Sequence, residues 1–294
     1  MGSIDVVVPA RAEVGECPVW EPEDQVLYWA DIEGRRIHRY DPSTGADEVR
    51  VLPGRPGAFA RTQRSGRFLV AIENSLAWFD WESATLTDWF ELEPPGTGNR
   101  MNDGRTDPAG RFWVGSMFQR PSDNRFTGNL HRITPDGDAA ILQTEVGVSN
   151  GLAFDADRNR MYWADTLRDT VWRYDYDVES GEIHNEVPFV DFTNLPGRPD
   201  GACVDADGGY WVAAVYGWAV MRFTPDGDLD RTIELPVEAP TMPAFGGADL
   251  TTLFVTSIGA GSSRPPSPDQ VNAGALLAVD AGTTGRVDVP FGGE

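Results

Sequence analysis

The chain has 294 residues, 40% of them hydrophobic, with ten tryptophans, so it can bury a large core; no apolar run approaches the roughly 20 residues a membrane span needs. Its formal net charge of −22 argues against nucleic acid and anionic membrane surfaces as partners, because both would repel it. All 24 of its cations are arginines, which excludes Schiff-base chemistry on a lysine.

Taken in order, the chain begins with Met1 to Val8, which has neither a basic region nor a long apolar stretch. No secretory signal is predicted there, and a cytoplasmic location is expected. Ile4 to Val8 reads as a strand without a partner in its own repeat. It is expected to close the fold by pairing with the last repeat, near Val279; the tail segment Arg286 to Val289 is the competing candidate. Cys17 and Cys203 are too few for a disulfide framework and read as small buried residues.

From there a module recurs. A strand rich in aromatic and β-branched residues starts at Leu27, Phe68, Phe112, Tyr162, Tyr210 and Leu253, at steps of 41, 44, 50, 48 and 43 residues. A further strand follows each one. Several short strands per unit, repeating at a period in the forties, mark a β-propeller. Six units use up the chain. The expectation is one all-β domain over residues 1–294, a six-bladed propeller of four-stranded antiparallel blades closed by a terminal strand. A long proline-rich insertion from Ala260 to Asn272 is expected to overhang the channel mouth, as a lid or as a mobile loop.

The first strand of each blade lines the central channel, so residues at its start converge from different blades. Glycines 57, 104, 151, 201 and 246 stand at steps of 47, 47, 50 and 45 residues, which marks equivalent places where backbones crowd near the axis. Asp103, Asn150 and Asp200 immediately precede three of these glycines, and Glu16 follows Gly15 in blade one. A single Asn-Gly or Asp-Gly pair is an ordinary turn signal. Three at matched positions, together with Glu16, point instead to a shared central site. Carboxylates crowded there repel one another unless a cation lies between them, and a hard divalent cation accepts carboxylate, amide and water oxygens together. His38, His131 and His184 fall on third strands or a connecting turn, away from the axis. No Gly-x-Ser-x-Gly elbow, phosphate loop or metal-protease helix occurs.

Glu16-Cys17-Pro18-Val19-Trp20, Arg100-Met101-Asn102-Asp103-Gly104, Ser149-Asn150-Gly151-Leu152 and Pro199-Asp200-Gly201 resemble the signatures of the senescence marker protein (regucalcin)/gluconolactonase family. The resemblance runs from about Arg11 to Asp280. It implies a six-bladed propeller and a divalent-metal-dependent lactonase that opens sugar lactones to aldonic acids. Glu16, Asn150 and Asp200 match the family's metal ligands, Arg100 and Asn102 its substrate-contacting positions, and Asp103 an acidic position beside the metal. Where vertebrate members carry Thr-Met-Ala-Glu-Glu, this chain has Ser116-Met117-Phe118-Gln119-Arg120. Arg120 therefore replaces a glutamate that touches substrate hydroxyls, and the sugar is left open.

On this reading the cation polarises the lactone carbonyl, and Asp200 takes the proton of the attacking water, with Asp103 as the alternative base. Arg100 and Asn102 orient the lactone, and Trp or Phe side chains form an apolar wall. Calcium, magnesium, manganese, zinc and ferrous iron all stay open. A calcium-dependent organophosphate or aryl-ester hydrolase and a non-catalytic binding propeller are the rival functions. A monomer acting on a small-molecule substrate is expected.

Overall fold

Alternating apolar and polar residues, broken by Asp, Gly and Asn turns, give the described residues short strands and essentially no helix beyond three single-turn 3-10 segments. The computed structural model describes residues 4–259, 264–267 and 269–292. It contains six four-stranded antiparallel sheets arranged as the blades of a propeller. Their innermost strands are Gly15–Glu21, Pro56–Arg61, Asn99–Thr106, Ser149–Asp155, Arg198–Val204 and Pro240–Gly246. The fourth strand of blade six is Ile4–Val8, which pairs antiparallel with Leu276–Asp280, with Ile4 opposite Val279. The ring is thus closed by the strand expected to close it.

The competing segment, Arg286 to Val289, forms no strand. It runs instead across the far end of the channel, where the inner strands finish. Arg105 donates to both carboxylate oxygens of Asp288 at 2.8 and 2.7 Å, and Arg61 donates to the Asp288 carbonyl at 2.7 Å. Phe291 is fully buried close to Trp78 and Trp89 and donates its N–H to Arg61. Strand pairing was not available to this segment because Ile4–Val8 already covers the outer edge of blade six.

The core lies between blade faces. Middle strands such as Val26–Asp31 and Tyr210–Val215 are buried at every residue, whereas outer strands such as Ala46–Val51 are mostly exposed with a few half-buried residues. Trp29, Trp81, Trp113 and Trp211 are all buried, and each such side chain contributes about 2–3 kcal/mol of hydrophobic stabilisation.

All six inner strands slip register at the same place, next to the candidate residues: between Glu16 and Val19, Pro56 and Ala58, Met101 and Gly104, Asn150 and Ala153, Pro199 and Ala202, and Pro240 and Pro243. A bulge suspends the up-down alternation of a strand and re-aims its side chains. At Gly57 the reason for glycine is close approach, since a Cβ there would lie 2.3 Å from the Met101 carbonyl oxygen. At Gly151 it is the left-handed backbone, φ 64°. Blade one puts Cys17 in the equivalent left-handed conformation, φ 47°, and its Sγ accepts a hydrogen bond from Phe59 N–H at 3.2 Å. Cys17 is buried and unbridged as expected, and it also carries a strained turn and a contact to blade two. Among the described residues no helix is long and apolar enough to cross a membrane.

Candidate functional site

The turns leading into the inner strands are pinned before the site residues begin. Asp165, fully buried at the end of its middle strand, accepts from Gly147 N–H and Val148 N–H at 2.9 Å each, from Leu167 N–H at 3.1 Å and from Arg168 at 2.9 Å. Asp31 does the same work in blade one, accepting from Val14 N–H at 3.0 Å and Gly34 N–H at 3.1 Å. These two aspartates fix the starts of the strands that carry Asn150 and Glu16.

Glu16, Asn102, Asp103, Asn150 and Asp200 are all buried near the axis. Asn150 is held on both sides of its amide. Its Nδ2 donates to Thr166 Oγ1 at 2.8 Å, and Thr166 Oγ1 in turn donates to the Pro199 carbonyl at 2.7 Å. Its Oδ1 accepts from Asn102 Nδ2 at 3.0 Å. Asn102 also donates to the Ser149 carbonyl at 2.9 Å and accepts from Arg100 at 2.7 Å. One chain of hydrogen bonds thus runs from Arg100 on blade three through Asn102, Asn150 and Thr166 to the residue before Asp200 on blade five. Asn102 spends both amide N–H groups inside the protein, which leaves the second lone pair of its Oδ1 for a ligand. Arg100 has a buried Nε with no partner, a donor available to a ligand.

The electrostatics are those of crowded, buried acids whose charge Arg100 and Arg105 offset only in part. Burial, followed by the charges of Asp200 and Asp103, holds the Glu16 carboxyl well above the usual range. Burial and then Asp103 do the same to Asp200. Asp103 is pushed up to about 6, chiefly by burial, against a hydrogen bond from Leu152 N–H at 3.0 Å; its Oδ1 is buried without a partner. Buried polar atoms are nearly always satisfied, so an orphaned carboxylate oxygen beside two further acids is a feature to explain.

A divalent cation fits these residues. Two carboxylates, a fixed amide oxygen and an orphaned carboxylate oxygen suit a hard ion, and its charge would reverse the repulsion that raises the acids. Among the described residues no three His, Cys, Asp or Glu side chains form a metal cluster by themselves.

Above this floor a cavity of about 230 Å³ opens to the surface. That is below the roughly 300–1,000 Å³ of drug-sized ligand sites and suits a small sugar. Glu16, Asn102, Asn150, Asp200, Arg100 and Arg120 all line it, while Asp103 lies beneath. Among the described residues no Trp or Phe lines the cavity, against expectation. The apolar lining includes Val148, Val215, Leu167, Ile258, Met117 and Tyr216 instead, because the tryptophans of the middle strands are used between blades. Sequence reasoning also missed Thr166, Glu33 and Arg198. Thr166 follows the repeated Trp-Ala-Asp strand directly and Arg198 stands two residues before Asp200, so position was the available signal.

The histidines lie away from the axis. His38 stacks on Trp29 and contacts Asp47, and His131 contacts Glu93. Of the insertion at 260–272, Ala260 to Ser263 and Pro268 lie outside the described residues. Within it, Arg264 and Gln270 both bond Glu238.

A family profile described as SMP-30/Gluconolactonase/LRE-like region matches residues 14–259, and the chain belongs to that family. It is 39% identical to a 6-deoxy-6-sulfogluconolactonase from Pseudomonas putida, over 99% of each chain. It is 38% identical to a pentonolactonase from Haloferax volcanii, over 95% of each. Among solved structures it resembles regucalcin from Agrobacterium tumefaciens, described as a calcium-binding protein. That match has a TM-score of 0.90 and 27% identity, covering 99% of this chain and 97% of the other.

Proposed function

We propose that this chain hydrolyses sugar lactones to aldonic acids with one divalent cation held by Glu16, Asn150 and Asp200. The carrying observation is the convergence of these three oxygen donors, from blades one, four and five, at the floor of a sugar-sized cavity beside the unpartnered Nε of Arg100. The relatives named for hydrolysing a sulfonated gluconolactone and pentonolactones support the substrate class, and the calcium-binding relative supports the cation.

When bound, such a cation supplies Lewis acidity toward the lactone carbonyl. Arg100 donates to the lactone oxygens through its spare N–H groups. Asn102 keeps the Asn150 amide oxygen turned toward the site. Asp200 accepts a proton from the attacking water and returns it to the ring oxygen as the ester C–O bond breaks, leaving a hydroxyl and a carboxylic acid that releases its own proton to solvent. Asp103 is the alternative base.

The test is proton release from gluconolactone and pentonolactones by protein stripped with chelator and refilled with single metals. An aryl ester and a phosphotriester are run alongside. Turnover of a lactone that disappears on stripping and returns with one of calcium, magnesium, manganese, zinc or ferrous iron is the expected result. Activity confined to the ester or phosphotriester would overturn the reading. Asp200→Ala should lower kcat/KM by about 10²–10³-fold or more with an unchanged circular dichroism spectrum. An Asp103→Asn variant that still binds the cation but no longer turns over would move the base to Asp103.

A further inference from the structure

We propose that the mouth of this cavity selects lactones that carry a second, terminal anion, a carboxylate, sulfonate or phosphate, and that Arg120 and Arg198 hold it. The inference rests on the lactone reading above and narrows its substrate class.

Three guanidinium groups line one small cavity: Arg100 deep within it, and Arg120 and Arg198 at its rim. Apart from the candidate cation ligands Glu16 and Asp200, Glu33 is the only carboxylate among the described residues that line that cavity. The chain has 46 acidic residues against 24 basic ones, so a lining with three cations and one spare acid runs against its composition.

The charges differ in depth. Glu16 from blade one and Asp200 from blade five are buried, whereas Arg120, after the middle strand of blade three, and Arg198, at the start of the inner strand of blade five, are exposed at the rim. A lactone held with its carbonyl over the buried acids has its other end toward the rim, where the two arginines stand.

Both rim arginines are poised rather than consumed. Arg120 meets Asp123 at 3.2 Å with 65% of its side chain exposed, and Arg198 meets Asp169 at 3.2 Å with 46% exposed. Exposed pairs of this kind are weak and exchange readily, and each guanidinium has five N–H donors. A terminal carboxylate, sulfonate or phosphate can take two of them at once, which a neutral hydroxymethyl end cannot. With a net charge of −22 the molecule as a whole repels such a substrate, so attraction has to be supplied locally, where Arg120 and Arg198 stand.

The experiment compares kcat/KM for gluconolactone with that for three analogues bearing a terminal carboxylate, sulfonate or phosphate, using the metal-loaded full chain at low and moderate salt. A preference of about ten- to a hundredfold for one or more anionic analogues is expected, the range charge-assisted hydrogen bonds reach, and it should shrink as salt rises. In Arg120→Gln and Arg198→Gln, checked for unchanged melting, the anionic-to-neutral ratio should fall toward one whatever the absolute rates. The three arms show which anion fits. Equal rates on neutral and anionic lactones would overturn this inference and leave lactone hydrolysis standing. A preference that survives both substitutions would overturn the assignment to these arginines. Hydrolysis of none of the four would overturn the underlying function as well.

Discussion

Thr166 touches neither of the two carboxylates proposed to hold the cation, yet it sets where the third donor points. Its hydroxyl accepts from Asn150 and donates to the Pro199 carbonyl, tying blade four to blade five one residue before Asp200. Thr166→Val keeps the shape and removes both bonds, leaving a buried amide donor unpaired at a cost of about 1–3 kcal/mol. Groups of this kind, which orient a metal ligand, are typically worth 10- to 100-fold in metal affinity. Calorimetric titration of stripped protein with calcium or manganese should show such a loss, with turnover recovering at high metal. Unchanged affinity would remove Thr166 from the site. Its absence from the sequence reading has a physical cause. Glu16, Asn150 and Asp200 stand at repeat-equivalent places and so announce themselves together, whereas Thr166 acts through a hydrogen bond made once in the ring. Arg198 was overlooked for a related reason, because the residues two before the matched glutamate and asparagine are valines, so repetition marks no arginine there.

Two connecting segments carry more than their strand content suggests. Glu93 lies between blade two and blade three and takes hydrogen bonds from His131, Ser116, Asn129 and Asn99. Burial alone would raise its carboxyl, but these four donors outweigh it and bring the group down to about 2. A carboxylate held below its unfolded value stabilises the fold above pH ~4.5, and that contribution is lost as the pH falls toward about 2. It amounts to roughly 3 kcal/mol. Glu93→Gln should be less stable in urea at neutral pH, and its stability should fall less steeply than that of the native chain between pH 5 and 2. Parallel pH profiles would show that Glu93 does not clamp the blades.

The tail is the second segment. Arg105 is buried and donates to Leu152 and Ala202 carbonyls as well as to Asp288, gathering blades three, four and five at the base of the channel. Removing one partner of such a pair leaves a buried charge uncompensated. Because Asp288 is itself nearly a third exposed, Asp288→Ala is expected to cost about 2 kcal/mol, read as a lower urea midpoint. The route of this tail was invisible in the sequence, since Arg286 to Val289 alternates like a strand and only three-dimensional competition for blade six shows that it is not one.

For the whole molecule, the blade count was legible because a propeller repeats its packing and therefore its sequence. Aromatic middle strands recur every forty to fifty residues, since each blade must cover its neighbour's face. What repetition cannot reveal is which face a given aromatic covers, and hence the expectation of Trp or Phe in the cavity failed. The net charge of −22 belongs to this scale too. Like charges spread over one ring oppose compaction, and salt shortens their reach from roughly 30 Å at 0.01 M to about 10 Å at 0.1 M. The melting temperature should therefore rise by several degrees across that interval; a flat response would mean that the 24 arginines already neutralise the field locally.

The pairing of Ile4–Val8 with Leu276–Asp280 also sets a timetable for the molecule's own synthesis. Of the described strands, Ile4–Val8 is made before all the others and its partner Leu276–Asp280 after them, so until then the ring stays open and the edges of Ile4–Val8 stand bare. Closure is the final act. It joins residues more than 270 positions apart, Ile4 to Val279, and a chain interrupted before Leu276 has no ring to close.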